Sequence, residues 1–208
     1  MSVGNDPGAR ERKKAQTRSA IQEAARTLFA EQGFAATTVA QIADAADIAE
    51  RTVFRYFESK DALLLPDVHE LFESLTRQAC ARPPQEPPLT ALLESLIAVA
   101  AGQPSALAVL AQRLDPAPRP FGGQLGGAIR GLESELTEAV RERLAAADPS
   151  ADNSALNLRA AVIAGVAVAT ARATLRTFRA RRERAEDLPL GELERMLREA
   201  FAVVQGGC

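Results

Sequence analysis

The sequence is poor in aromatic residues and in the side chains that most often carry catalysis. It contains no tryptophan, and aromatic residues make up only 4% of its 208 residues. His69 is the single histidine, and Cys80 and Cys208 are the two cysteines. Cysteines so few and so distant predict neither a metal site nor a disulfide framework, and one histidine leaves no pair for a metal. We therefore expect no catalytic residues, no metal and no cofactor, and thus no enzyme.

The sequence also lacks a long hydrophobic run. Its longest apolar stretch extends from Ala160 to Ala171 and is bounded by Arg159 and Arg172. A membrane-spanning helix needs about 20 apolar residues, so this stretch is expected to form a buried helix. The sequence shows no signal-peptide pattern. We therefore expect a cytoplasmic protein with no membrane partner.

Alanine is abundant and runs of β-branched residues are scarce, which favours an all-α fold. Helical periodicity predicts about nine helices. We expect a disordered tail over residues 1–9, an N-terminal domain over 10–60 and a larger domain over 61–208. Pro66 is expected to kink or split the helix that starts near Lys60, because proline cannot complete the helical hydrogen bonds.

The most informative segment, Thr38 to Phe57, reads TVAQIADAADIAERTVFRYF. Thr38 followed three residues later by Gln41 matches a helix capping box. Asp47 lies where the pattern breaks, and aspartate tolerates left-handed backbone. A second short helix then buries Val53 and Phe57. The segment 38–57 therefore predicts a helix-turn-helix, whose second helix suits a DNA major groove.

A further helix precedes this segment, and it begins with a cluster of positive charge. Five basic residues against Glu11 give a net charge of +4 over residues 10–18, although the whole chain carries −2. Such clusters are often only solvated helix ends. Beside a helix-turn-helix, phosphate neutralisation is the better interpretation. The basic residues are Arg10, Arg12, Lys13, Lys14 and Arg18.

The run AARTLFAEQGFAATTVAQIADAADIAERTVFRYFESKDALL resembles the DNA-binding domain of the tetracycline-repressor (TetR) family of transcriptional regulators. The resemblance covers about a quarter of the chain, and the LF-x-E-x-G, T-x-x-x-IA, T-x-F-x-Y-F and S-K elements are all in register. It implies a helix-turn-helix domain of three helices, a helical ligand-binding and dimerisation domain, and about nine helices in total.

Three positions depart from the family pattern. Asp47 replaces a frequent glycine, Ala49 replaces a frequent Ser or Thr helix cap, and Phe54 replaces a tyrosine whose hydroxyl commonly touches a phosphate. Tyr56 is expected to take over that contact. The predicted DNA-binding residues are Arg12, Lys13, Lys14, Thr38, Glu50, Arg51, Thr52, Arg55, Tyr56 and Lys60, with Arg51 reading guanine and Tyr56 and Lys60 contacting phosphates.

For the second domain, the resemblance implies a homodimer and a small-molecule effector. The small residues near 160–173 allow close helix packing and are expected at the dimer interface, although an ordinary intramolecular core is the alternative. The predicted interface residues are Ala161, Gly165, Val168, Arg172, Leu193, Leu197 and Phe201. A mostly apolar cavity is expected, with Arg113, Asn157, Arg159 and Thr170 as its polar groups.

Two functional hypotheses follow. The first is a ligand-responsive transcriptional regulator, most simply a repressor, which binds an inverted-repeat operator in double-stranded DNA as a homodimer and is released by a small hydrophobic molecule. The second is an architectural or activating DNA-binding protein of the same fold that needs no ligand. A cavity in the second domain favours the first hypothesis.

Overall fold

The computed structural model describes residues 7–103, 107, 110, 124–184 and 190–206. Within these residues the fold is all-α, as predicted. Helix positions in the predicted segment 104–114 lie outside the described residues, apart from Leu107 and Leu110. The helices are α1 (Pro7–Ala36), α2 (Val39–Ala45), α3 (Glu50–Tyr56), α4 (Leu65–Ala81), α5 (Pro88–Gly102), α6 (Gln124–Ala147), α7 (Asn153–Glu183) and α8 (Leu190–Gly206), with a 3-10 turn at Asp61–Leu63.

The chain divides into two compact units, Met1–Leu64 and Leu65–Cys208. The boundary falls after Leu64, whereas the sequence analysis placed it after Lys60. The turn Asp61–Leu63 lies before this boundary, and its residues Ala62 and Leu63 are buried.

Helix α1 begins earlier than predicted. Residues 7–9 form its first turn, where a disordered tail was expected, because Pro7 at the first helical position has its φ already set for a helix. Residues 1–6 of the predicted tail lie outside the described part. Gly33 interrupts the other end of α1 with a φ of 84°, a left-handed conformation that glycine adopts without strain.

Pro66 does not kink α4. It lies in the first turn of that helix, where its missing N–H costs no helical hydrogen bond. The predicted long helix is instead split, because the 3-10 turn ends at Leu63 and α4 begins at Leu65.

The core of the first unit is built from one face of α1 and the inner faces of α2 and α3. Ile21 and Ile42 are fully buried, and Val53 is 1% exposed. The rings of Phe29 and Phe34 pack with centroids 5.0 Å apart. Two helices of seven residues cannot bury a core alone, so α1 supplies the surface on which they pack.

The second unit is a bundle whose longest members are α6 and α7. They are joined by a short connection at residues 148–152, and Asp152 caps α7 by accepting a hydrogen bond from Ala155 N at 3.0 Å. Helix α4 packs on α5 and α6, and α8 packs on α5 and α7. The buried centre of the bundle includes Leu136, Ala160, Ala164, Leu197 and Phe201.

Hydrogen bonds from one arginine connect the end of α4 to α6. The Arg143 guanidinium on α6 donates to the carbonyl oxygens of Ala79 at 3.0 Å and Arg82 at 3.2 Å, and also to that of Pro83. These oxygens belong to the last turn of α4 and the segment after it, where helical carbonyls lack partners. Arg143 therefore holds α4 to α6.

A second tie joins α7 to α8. Arg181 Nη1 lies 2.7 Å from Glu192 Oε1, and Arg195 Nε donates to Glu192 Oε2 at 2.9 Å. The hydrogen bond from Arg195, followed by that from Arg181, lowers the pKa of Glu192 from 4.5 to about 2. The carboxylate therefore stays ionised at any pH near neutrality.

Candidate nucleic-acid interface and apolar cavity

The first short helix of the segment 38–57, α2, begins with the predicted capping box. Thr38 Oγ1 accepts from Gln41 N at 3.2 Å, and Gln41 Oε1 accepts from Thr38 N at 2.8 Å. The box sets the direction in which α2 starts, directly after the bend at the end of α1. Thr38 is exposed, and its predicted contact with DNA stays a prediction.

The turn between α2 and α3 has the predicted left-handed residue. Asp47 has a φ of 53° and is the non-glycine residue with positive φ among those the structure describes. Ile48 N donates to Ala43 O at 3.0 Å, which closes the turn. Helix α3 then starts without a side-chain cap at Ala49, and Glu50 supplies negative charge in its first turn, which the helix dipole favours.

Helix α3 is anchored on one side and open on the other. Val53 and Phe57 are buried at 1% and 3% exposure. Glu50, Arg51 and Arg55 are exposed. The predicted residues Thr52 and Tyr56 are half-buried, and the Arg55 guanidinium carbon lies 5.3 Å from the centroid of the Tyr56 ring. Two arginines are thus presented on the outer face of a short helix that is anchored through Val53.

Phe54 is a residue that the sequence analysis did not include in the site. It is 50% exposed, although most large apolar side chains of this unit are buried. On a seven-residue helix buried through Val53, residue 54 lies on the flank beside Arg51. The signal in the sequence that points to Phe54 is its departure from the family's tyrosine, which removes a phosphate contact and also leaves an apolar ring at this position.

Lys60 is placed differently from the other predicted DNA-binding residues. Its Nζ donates to the carbonyl oxygens of Phe34 at 2.7 Å and Thr37 at 2.8 Å. The same nitrogen lies 4.2 Å from the centroid of the Phe34 ring. The ammonium is therefore engaged inside the unit, whereas Arg51 and Arg55 lie on its surface.

The basic residues near the N-terminus lie on a helical extension. The first buried residue of α1 is Ile21, and nearly all of the residues before it are exposed. Arg12, Lys13 and Lys14 are exposed on this extension. Arg18 lies nearer the core, and its guanidinium carbon is 4.6 Å from the centroid of the Phe57 ring. This contact connects the base of the extension to the end of α3.

The second unit has a small, partly open cavity between five of its helices. Its volume is about 70 Å³. Sixteen of its seventeen lining residues are apolar, and Arg172 is the charged one. The lining residues are Leu71, Phe72, Leu75, Leu92, Leu96, Val99, Leu107, Leu110, Ile129, Leu132, Leu136, Ala167, Val168, Ala171, Arg172, Leu175 and Phe201.

The polar residues predicted for this cavity do not line it. Asn157 and Arg159 are exposed and Thr170 is half-buried, and none of the three belongs to the lining. They occupy other faces of α7, because a helix turns 100° per residue and Ala167, Ala171 and Leu175 point inward. Arg113 lies outside the described residues.

The predicted dimer residues separate into two groups. Val168, Leu193, Leu197 and Phe201 are 0–7% exposed. These four residues are therefore core positions of the protomer itself, and Arg172 lines the cavity. The interface role predicted for these five residues is corrected accordingly. Ala161 is exposed and Gly165 half-exposed on the opposite face of α7.

That opposite face of α7 is apolar as well. Leu158 and Val162 are 68% and 54% exposed, and they share helical spacing with Gly165 and Ala169. A side chain added at Gly165 would meet nothing within 4 Å. By length and composition α7 is apolar enough to cross a membrane, but such helices also occur in protein cores. Its two apolar faces, one buried and one exposed, account for that composition.

A capped helix, a left-handed turn and a second helix with outward arginines define the class of helix-turn-helix DNA-binding proteins. A family model described as bacterial regulatory proteins of the tetR family matches residues 21–65. The helix-turn-helix unit of this chain is therefore similar to that of the TetR family of bacterial regulatory proteins.

Individual relatives agree with this assignment. The HTH-type transcriptional regulator TcmR of Streptomyces glaucescens is 39% identical over 98 residues, which cover 47% of this chain and 43% of TcmR. The chain thus matches less than half the length of the curated relatives. Those relatives are regulators by name, not enzymes.

Solved structures agree on the fold across nearly the whole chain. Thermus thermophilus FadR, a TetR-family repressor in complex with lauroyl-CoA, has a TM-score of 0.58 at 20% identity and covers 90% of this chain and 93% of its own. A tetR-family regulator from Streptomyces coelicolor has a TM-score of 0.57 at 19% identity, over 92% of this chain and 81% of its own.

Proposed function

We propose that the chain is a ligand-responsive transcriptional regulator that binds an inverted-repeat operator as a homodimer. The observation that carries the proposal is the helix-turn-helix, with Arg51 and Arg55 exposed on α3. Arginine pairs bidentately with guanine in the major groove. The exposed basic extension at Arg12, Lys13 and Lys14 supports phosphate binding. Such a function places the protein in the cytoplasm, where the DNA is.

The second copy of the chain is proposed to dock on the exposed apolar face of α7, formed by Leu158, Ala161, Val162, Gly165 and Ala169. Leu158 and Val162 are the large apolar side chains that this helix exposes most. Small residues beside them permit close approach of two helices. A symmetric dimer would present two α3 helices to successive major grooves, about 34–36 Å apart.

The effector is proposed to be an aliphatic molecule. Leucine dominates the described part of the cavity wall, in which Arg172 is the one polar residue. A wall of this kind offers dispersion contacts but few hydrogen bonds, which suits an alkyl or acyl chain. The lauroyl-CoA complex of Thermus thermophilus FadR makes a long-chain acyl-CoA the first compound to try.

The small size of the cavity favours the second hypothesis, a DNA-binding protein without an effector. Pockets for organic ligands hold roughly 300–1,000 Å³, whereas this one measures about 70 Å³. An effector would therefore have to widen the cavity. An effector can shift the equilibrium between two states of the protein only if it binds one state more tightly than the other.

The decisive experiment is an electrophoretic mobility shift on the DNA upstream of the chain's own gene. We expect a shifted band with a two-fold symmetric footprint, and no comparable band on scrambled DNA. Lauroyl-CoA should weaken the complex, and coenzyme A without an acyl chain should not. Equal affinity for scrambled DNA would contradict the regulator proposal, while specific binding that no acyl compound alters would favour the second hypothesis.

A cavity-filling variant connects the ligand response to the structure. Ala167 lines the cavity and is 4% exposed, so Ala167→Leu should occupy the space that the acyl chain needs. We expect this variant to bind the operator normally but to lose the response to lauroyl-CoA. Ala146→Leu, on exposed α6 surface, is the control and should respond like the parent.

A further inference from the structure

We propose that Lys60 is a positioning residue of the DNA-binding unit, and that its ammonium group holds the α1–α2 connection against the end of α3 without binding a phosphate. This inference rests on the proposed DNA-binding function. It changes the role expected for Lys60 from the sequence, in which a lysine after the recognition helix was assigned to the DNA backbone.

The geometry around the ammonium carries the proposal. The two carbonyl oxygens that accept from Lys60 Nζ, at 2.7 Å and 2.8 Å, belong to Phe34 and Thr37, which flank the connection between α1 and α2. A lysine ammonium has three N–H donors, so at least two are committed. The face of the Phe34 ring lies 4.2 Å away and attracts the same charge.

The partners of Lys60 lie at positions in the chain where one contact can connect two helices. Thr37 directly precedes Thr38, the cap of α2, and Lys60 follows the end of α3 by four residues. One ammonium therefore joins the start of α2 to the segment after α3. The two helices must keep a fixed relation if arginines on α3 are to reach base edges while the unit rests on the phosphates.

Neighbouring polar groups reinforce the same connection. Thr37 is 1% exposed, and its hydroxyl donates to Gly33 O at 2.8 Å. Gln32 Nε2 donates to Thr37 Oγ1 and to Gln41 Oε1, both at 3.2 Å. Without Lys60, the carbonyls of Phe34 and Thr37 would lose their charged donor, although the hydroxyl network would remain.

The salt dependence of operator binding distinguishes positioning from phosphate contact. Each phosphate neutralised contributes about 0.9 to the slope of log affinity against log salt. We expect Lys60→Met to weaken operator binding about tenfold, the equivalent of one charge-assisted hydrogen bond, while the slope stays at the parental value. Lys13→Met, on the exposed extension, should lower the slope by about 0.9.

A second substitution in the same connection separates positioning from general loss of structure. Thr37→Val removes the hydroxyl bonds of the same connection but keeps both backbone carbonyls for Lys60. Both variants should be compared at a temperature where circular dichroism shows them fully folded. We expect Lys60→Met to lose affinity and discrimination against scrambled DNA, Lys60→Arg to recover part of both, and Thr37→Val to stay close to the parent.

Each alternative outcome overturns the inference. A slope that falls by about one in Lys60→Met means that Lys60 contacts a phosphate. Equal losses in Lys60→Met and Thr37→Val mean that the residue supports the fold only. Unchanged affinity means that the contact is not needed. If the parent chain itself fails to prefer its operator over scrambled DNA, the proposed function fails, and that result is visible before any variant is made.

Discussion

At the scale of single residues, the three departures from the family pattern have different consequences. Asp47 adopts the left-handed conformation that a glycine would adopt, with a φ of 53°. Ala49 leaves α3 without a side-chain cap, a loss of ~1 kcal/mol. Phe54 places an apolar ring, 50% exposed, beside the outward arginines. Of the three departures, only Phe54 changes the chemistry of the surface that α3 would present to DNA.

Arg51 is predicted to carry base discrimination. Because its guanidinium is exposed on the outer face of α3, Arg51→Ala should lose ~1–3 kcal/mol on the operator and relax specificity at one base pair. Titration of operator and single-base variants by fluorescence anisotropy measures both effects. Arg77→Ala, exposed on α4, is the control, and intact discrimination in Arg51→Ala would show that α3 docks differently.

Phe54 is predicted to contact a thymine methyl group. An exposed phenylalanine next to a base-reading arginine has no partner in water, whereas the C5-methyl of thymine offers an apolar contact in the major groove. Replacing the contacted thymine by uracil should cost the parent about 0.8 kcal/mol, the value of one buried methyl. Phe54→Ala should be insensitive to the replacement. If both proteins respond alike at every thymine, the contact does not exist.

At the scale of elements, the ion pair between α7 and α8 shows how surface charge fixes a helix. Helix α8 contributes Leu197 and Phe201 to the core, at 0% and 1% exposure. Glu192, in its first turn, receives Arg181 from α7 and Arg195 from α8. Burial of the apolar stripe supplies the energy of docking, and the ion pair restricts the rotation of α8 about its axis.

The lowered pKa of Glu192 predicts a pH-dependent contribution to stability. The carboxyl titrates at about 2 in the folded protein against 4.5 ordinarily. The folded state therefore binds the proton less readily, and the stabilisation is complete above about pH 4.5 and is lost as the pH falls through about 2. Urea unfolding should show Glu192→Gln less stable than the parent at pH 7, with a difference that shrinks below pH 4.5.

The control for this experiment is Glu70→Gln, an exposed carboxylate on α4. It should show no comparable difference from the parent at pH 7. A gap between the parent and Glu192→Gln that persists unchanged at pH 2 would mean that the side chain acts through packing rather than through its charge.

At the scale of the whole molecule, the proposed dimer depends on the outer face of α7. Gly165→Leu places a bulky side chain on that face, and the structure offers it open space within the protomer. The fold should be retained, since leucine also favours a helix more than glycine does. We expect sedimentation velocity at micromolar concentration to show a dimer for the parent and a weakened dimer for Gly165→Leu.

Gly131→Leu provides the matched control, because a side chain added there on α6 also meets nothing within 4 Å. It should remain as dimeric as the parent. A parent chain that sediments as a clean monomer would contradict the proposed assembly, and equal weakening by both substitutions would show that the effect is not specific to the face of α7.

The sequence alone determined the features whose causes are local. The capping box at Thr38, the left-handed Asp47 and the helix break at Gly33 depend on residues a few positions apart, and all three are confirmed. The buried positions Val53 and Phe57 follow from helical spacing. The similarity to the TetR family followed from the same short segment, because its elements are in register.

The packing of the helices fixes which face of each helix meets which neighbour, and the sequence does not predict this. Val168 on α7 and Leu193, Leu197 and Phe201 on α8 belong to the core rather than to a second copy. Periodicity finds the apolar face of a helix but cannot say whether the protomer itself or a second copy covers it. Lys60 faces the carbonyls of Phe34 and Thr37, more than twenty positions away. A contact between such distant residues depends on how the helices pack, and no local pattern records it.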